Sequence, residues 1–269
     1  MTATGAVLSR RHQMETLDPR SCHEAPAVLA DVYLLKAQGD TWDGALALAR
    51  ELEAHGATVV NSASATELTL DRATMAEHAL GEGLPFAATQ AFPTLAAARE
   101  RLDCPTVIKN RQAWRHDIVV RVDCFAKLDE LPAGSMHEPV VVQPFIPNSG
   151  WDHKLWVVAD QVFAALRPSI LSATPRRAGR SLTEDALPGG WASLARRVGE
   201  IFGLEVYGVD IIDTGDGVPL IVDVNAFSGG MRSQPGGPEA LAALALRSAT
   251  STSRAPGTPV SVIDETTRR

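Results

Sequence analysis

The 269-residue chain is poor in cysteine, tyrosine and positive charge. Its three cysteines, Cys22, Cys104 and Cys124, are odd in number and lack metal-ligand spacing. That excludes a disulfide framework and a zinc site, and it points to a reducing, cytoplasmic compartment. Lysine and arginine together number 25 against 32 acids, a formal net charge of −7. Nucleic acid and anionic membrane surfaces both reward a basic face, so neither is an expected partner. No apolar run approaches membrane-spanning length, and the first 26 residues have no signal-peptide core. Glycine is absent from one notable stretch, "NRQAWRHDIV" at 110–119.

What is present is an ordinary globular composition, 45% hydrophobic and 21% charged, in a chain long enough for one large domain or two smaller ones. Residues 1–28 read as a flexible leader and 251–269 as a flexible tail. From "ADVYLLK" at 30–36 the pattern runs strand, amphipathic helix, strand ("TVVN", 58–61), the opening of a parallel sheet with covering helices. A second helix is expected over 67–80. From about residue 93 short strands and hairpins dominate: "PTVIK", "DIVVRVD", "EPVVVQPFI", a hairpin turning at 159–161, and another turning at 215–217. An amphipathic helix, "WASLARRVGEIFGL", precedes that last hairpin. The segment 168–190 reads as a loop, and "PEALAALALRS" as a closing helix.

The last hairpin carries the chemistry. In "LIVDVNAFSGG" (220–230), Asp223 and Asn225 are two residues apart and so share a strand face, with Val224 on the other. Asp210 lies on the partner strand. Two carboxylates and an amide oxygen form a hard oxygen set suited to magnesium, which takes few protein ligands and leaves room for phosphate oxygens. A solvated hairpin face would show the same residue types. Arginines at 111, 115, 167, 176, 177 and 180, with His116, concentrate positive charge in two loops, where they would balance polyphosphate or merely decorate the surface.

Five stretches in order, "PTVIK", "VVVQPFIPNSGWDHKLWVV", "VFAALR", "VYGVDII" and "LIVDVNAFSGG", resemble the ATP-grasp superfamily, and within it the RimK-like branch of carboxylate–amine ligases. The resemblance spans about 30–247. It implies an α/β protein with the ATP-grasp fold: a short parallel-sheet N-terminal domain (29–92), then two α+β subdomains enclosing ATP (93–250). It implies ATP and Mg2+, two ions, as cofactors. Small-molecule or peptide carboxylates and amines are the implied substrates, joined through an acyl phosphate, and a homodimer is allowed.

By the same resemblance, Lys109 and Arg72 contact ATP phosphates, and Arg111 and His116 stand in for the missing glycines of the phosphate-covering loop. Gln143, Phe145 and Ile146 read adenine at the interdomain hinge, and Asp152 belongs with the nucleotide. Lys154 and Arg167 face the transferred phosphoryl group. Arg232 lies on the acceptor side, and Asp210, Asp223 and Asn225 hold the metal. The glycine-free loop and the Asp before the Asn also resemble the inositol-phosphate-kinase branch, so a small-molecule kinase is the alternative. An inactive nucleotide-binding module ranks third.

Overall fold

The computed structural model describes residues 14–115, 118–172, 178–251 and 260–263, together with Thr4 and Leu8. Strand β2 (Val32–Leu35) is buried at every position, as a parallel strand covered on both faces must be. It leads through helix α1 (Trp42–Ala54) to β3 (Val59–Val60). Helix α1 turns Ala45, Leu46, Leu48, Ala49 and Leu52 inward, the stripe that its sequence spacing requires. Strands β1 (Met14–Leu17) and β13 (Val260–Ile263) complete a parallel sheet in the order β1-β13-β2-β3. Two of its strands thus come from segments whose composition reads as leader and tail.

The helix expected over 67–80 is α3 (Arg72–Gly81), which starts five residues later, and a separate short helix, α2 (Ala63–Glu67), precedes it. Asp71 makes the break. Its backbone is extended, and its carboxylate accepts hydrogen bonds from the Ala73 and Thr74 N–H groups at 2.9 and 3.0 Å. Such a cap contributes about 1 kcal/mol, enough to restart a helix where the apolar periodicity alone runs on.

The remaining elements form two antiparallel sheets. One has the order β4-β7-β5-β6, from β4 (Gln90–Phe92), β5 (Thr106–Asn110), β6 (Val119–Val122) and β7 (Val140–Pro144), with helix α4 (Leu95–Arg99) against it. The other has the order β10-β9-β8-β11-β12. Its strands are β8 (Trp151–Val158), β9 (Gln161–Pro168), β10 (Arg180–Leu182), β11 (Val206–Asp213) and β12 (Pro219–Ala226). Strand β10 lies within the stretch expected to be loop.

Helix α5 (Trp191–Phe202) covers one face of this larger sheet, packing Trp191, Ala195, Val198 and Phe202 against Leu155, Val157, Val209 and Ile221. Helix α6 (Gly237–Ser251) fills the space between β2 and β8 with Leu241 and Leu244. Gly199 is where α5 meets β11. A Cβ there would collide with the Tyr207 hydroxyl, which accepts from Gly199 N–H and donates to the Ala195 carbonyl. Asn61 joins the first sheet to the third, its amide pairing with both backbone groups of Val206 at 2.7 and 2.9 Å.

Trp191 is wholly buried and donates its indole N–H to the Gly217 carbonyl at the tip of the β11–β12 hairpin. Trp191→Ala is expected to cost about 3–5 kcal/mol, visible in chemical denaturation as a lower midpoint at unchanged slope.

Candidate active site between the two antiparallel sheets

The site is organised by one transverse row across the larger sheet. Lys154 on β8 stands directly opposite Asp210 on β11, and Asp210 directly opposite Asp223 on β12. Opposed residues on neighbouring strands share a face, so one cation and two carboxylates project together. Asp223 reaches that face through an irregularity. The β11–β12 register runs Asp210↔Asp223 and then Ile211↔Ile221, leaving Val222 as one extra residue on β12. In an unbroken strand Asp223 would lie with Ile221, which is fully buried in the core. The bulge at Val222 changes the phase, so that Leu220, Asp223 and Asn225 all line the cavity while Ile221 and Val224 stay in the core.

The Val222 carbonyl accepts a 2.8 Å hydrogen bond from the ammonium of Lys109, the penultimate residue of β5. Lys109 is only 6% exposed, and burial draws its pKa below the ordinary lysine range. Burial pushes the Asp223 carboxyl up, but Arg72 and Lys109 together outweigh it and hold the pKa below the usual carboxylate value. Lys154 forms an ion pair with Asp210. Burial alone would lower the Lys154 pKa; the adjacent carboxylate reverses this and holds it above the lysine norm. Asp210 is pushed up by burial and by Asp223, against the pull of Lys154. Three cations, Arg72, Lys109 and Lys154, thus stand around the two carboxylates.

Whether a magnesium ion fits turns on a single oxygen of Asp223. Asp223 Oδ2 accepts from Arg72, while its buried Oδ1 has no hydrogen-bond partner among the described residues. An unpartnered anionic oxygen beside a second carboxylate and the Asn225 amide is a hard donor set for a small divalent cation. No group of three or more His, Cys, Asp and Glu that could hold a metal gathers among the described residues.

Arg72 lines the cavity, and its guanidinium is also engaged by the protein itself. It is 4% exposed. Its guanidinium donates to the carbonyls of Asn110 (2.9 Å), Gln112 (3.1 Å) and Ala113 (3.3 Å), and to Asp223 (3.2 Å). Arg111 is bound through Nε to Asp71 at 2.6 Å, and Arg115 pairs with Glu138. Neither Arg111 nor Arg115 lines the cavity, and His116 lies outside the described residues. The backbone of the glycine-free loop is tied down as well. Arg111 N–H bonds the Pro139 carbonyl and Ala113 N–H the Leu70 carbonyl. Asn110, fully buried, fastens its base by accepting from Ile118 N–H at 2.7 Å.

The cavity has a volume of about 920 Å³ and lies between the two antiparallel sheets, with a third wall from the N-terminal domain. Gln143, Phe145 and Ile146 line it at the end of β7, and Asp152 and Arg167, paired across β8 and β9, line it from the other sheet. Gln143 donates to Thr89 at 3.0 Å. Phe145 N–H is bound to the Pro105 carbonyl, and the Arg121 guanidinium covers its ring at 3.7 Å. The Ile146 carbonyl accepts from Asn148. Arg232, exposed on the short helical turn after β12, does not line the cavity; its Nε turns back toward the Gly229 carbonyl. Trp156, with its indole N–H on the Ser228 hydroxyl and its ring against Gly230, is a lining residue that the motifs do not point to.

Antiparallel sheets facing each other across such a cavity, with a preceding parallel sheet, define an ATP-grasp fold. A family model described as the RimK-like ATP-grasp domain matches residues 88–235. The chain belongs to that family. Among solved structures, a RimK-domain ATP-grasp protein from Sphaerobacter thermophilus is similar at 23% identity and a TM-score of 0.64, covering 91% of this chain and 93% of that one. The D-alanine–D-alanine ligase from Coxiella burnetii is similar at 13% identity and a TM-score of 0.62, over 84% and 72%. The ATP-grasp ligase PsnB, complexed with a minimal precursor, Mg and ADP, is similar at 18% identity and a TM-score of 0.57, over 84% and 79%. At these identities the likeness is one of fold. No curated protein matches the chain.

Proposed function

We propose that the protein is an ATP- and Mg2+-dependent carboxylate–amine ligase. The reading rests on one observation above all: in a RimK-like chain, the row Lys154–Asp210–Asp223 faces a cavity that also holds Lys109 and Arg167. Asp210, Asp223 and Asn225 would hold magnesium, which supplies charge neutralisation on the polyphosphate when bound. ATP would lie with adenine toward Gln143–Ile146. There Phe145 offers its ring rather than its N–H, and no hydrogen bond from Ile146 N–H is present among the described residues, which leaves that donor to read the base.

In the reaction, a carboxylate oxygen of the acid substrate attacks the γ-phosphorus and the bond to ADP breaks, giving an acyl phosphate. The amine nitrogen then attacks the acyl carbon, inorganic phosphate leaves, and the nitrogen loses a proton to solvent. Lys109, Lys154 and Arg167 offset charge on the transferred group, while the rigid sheets hold the reactants in place. Arg72 acts behind this set by fixing the loop and Asp223.

Incubation with ATP, Mg2+, hydroxylamine and a panel of amino and dicarboxylic acids is expected to yield a hydroxamate and stoichiometric ADP. Phosphorylation of a polyol without any hydroxamate would overturn the ligase reading in favour of a kinase. Nucleotide binding without ADP release from any substrate would reduce the chain to a binding module.

A further inference from the structure

The β5–β6 pair carries two of the three cysteines at its open end. Its register runs Lys109↔Val119, Ile108↔Val120, Val107↔Arg121 and Thr106↔Val122. The ladder stops there, since Pro105 has no N–H to give it. Two residues further out on the same register stand Cys104 and Cys124, both free thiols, and the backbone at Cys124 is still extended (φ −155°, ψ 161°). Directly opposed residues of an antiparallel pair have Cα atoms about 4.5 or 5.5 Å apart, within the span of about 4.4–6.8 Å that a disulfide bridges. Electrostatics agrees with that placement. Burial is the first cause that pushes the Cys104 thiol up, and Cys124 is the second, ahead of the carboxylates of Asp103 and Asp123. Cys22 packs against the core of the N-terminal domain, a different cluster from the one that Cys104 meets.

Both cysteines adjoin the ties on Phe145, a residue that lines the cavity. Phe145 N–H is bonded at 3.1 Å to the carbonyl of Pro105, which follows Cys104. The Phe145 ring is covered by Arg121, and Arg121 is held at 2.8 Å by Asp123, which precedes Cys124. We infer that Cys104 and Cys124 form a reversible disulfide, and that closing it disturbs this wall and weakens nucleotide binding. The oxidant is a low-molecular-weight disulfide. The exposed Cys124 attacks it as a thiolate, giving a mixed disulfide and releasing one small thiol. Cys104 then attacks the Cys124 sulfur, and the second small thiol leaves. The two cysteine protons end on the two released thiols, so the chain gives up two electrons and the oxidant takes them. Joining the sulfurs draws the two bends together and moves Pro105 and Asp123 with them. The effect on nucleotide rests on the ATP-binding reading of the cavity; the bond itself does not.

The test incubates the full chain with glutathione disulfide, alkylates the remaining thiols and maps the peptides by mass spectrometry without reduction. A linked Cys104–Cys124 peptide is expected, with Cys22 outside it, and dithiothreitol should return all three thiols. In calorimetric titration with Mg2+ and a non-hydrolysable ATP analogue, the oxidised protein is expected to bind about three- to tenfold more weakly than the reduced protein, the worth of one aromatic contact. Dithiothreitol should restore the affinity. Cys124→Ser and Cys104→Ser should bind like the reduced protein and ignore glutathione disulfide, whereas Cys22→Ser should respond as the wild type does. Should Cys104→Ser fail to fold, Cys124→Ser, which alters an exposed side chain, carries the control alone. Stable glutathione adducts without a linked peptide, a bond to Cys22 instead, or a linked protein that binds as the reduced one does would each overturn the inference. No analogue binding by the reduced protein would remove the ATP reading and the effect on it together, while the mapped bond is judged without any nucleotide.

Discussion

Asp223→Asn is expected to lower Mg2+-dependent ATP turnover by at least about a hundredfold while leaving the fold intact, since charge stabilisation at such a centre contributes several kcal/mol. The geometry says why so small a change matters. Arg72 donates to Oδ2 of Asp223, so the asparagine carbonyl oxygen takes that place and keeps the hydrogen bond. The amide nitrogen then replaces Oδ1, the oxygen that has no partner among the described residues. A neutral donor pointing at the cation position cannot ligate and repels what would bind there. Two measurements separate this from general damage. Circular dichroism and the unfolding midpoint in the absence of nucleotide should stay near wild type. The rise in melting temperature produced by ATP analogue with Mg2+ should shrink toward that produced by the analogue alone. Turnover near the wild-type level, or a full Mg2+-dependent shift, would show that Asp223 does not hold the metal.

Much of this site was legible from residue spacing, and the parts that were not have identifiable causes. The pairing of Asp223 with Asn225, and the approach of Asp210, follow from strand alternation and a short hairpin, both local rules. The bulge at Val222 is invisible in "LIVDVNAF", because a strand that carries apolar residues on both faces does not reveal its phase. Helix α3 is similar: periodicity runs it back to residue 67, and only the Asp71 cap, competing with that pattern, starts it at Arg72. Strands β1 and β13 contain ordinary polar residues, and only the pairing of β1 with β13 and of β13 with β2 gives them a place. The arginines show the limit most clearly. Arg111 and Arg115 sit in the loop expected to cover phosphates, yet each turns to an acid, Asp71 or Glu138, that lies 40 or 23 residues away in the chain. Charge in a sequence shows what could bind a phosphate, whereas the acids that claim it first emerge only in three dimensions.

Arg72→Met is expected to be the most destabilising single change in the site, by about 3–5 kcal/mol, because removing one partner of a buried ion pair leaves the other charged and desolvated. The loss is wider than one pair. Three backbone carbonyls, of Asn110, Gln112 and Ala113, would also lose their donor, and all three belong to the glycine-free loop. That loop has no glycines to wrap a phosphate with bare N–H groups, and two of its N–H groups are bonded to Leu70 and Pro139. Its shape is therefore held from behind by Arg72, which also reaches Asp223, 151 residues further along the chain from Arg72.

Arg72→Lys separates the two jobs. A single ammonium keeps the charge beside Asp223 but cannot reproduce the fork that reaches three carbonyls. The lysine variant should retain most of the stability that methionine loses, yet show a weakened, loosely ordered loop. Hydrogen exchange at Ala113 should accelerate in both variants, and the Michaelis constant for ATP should rise more than kcat falls in the lysine variant. If Arg72→Met melts within about 2 °C of wild type, less than the shift expected from 1 kcal/mol in a protein of this size, the guanidinium does not clamp the loop. Its role would then revert to direct contact with phosphate, with kcat and the ATP Michaelis constant affected at full stability.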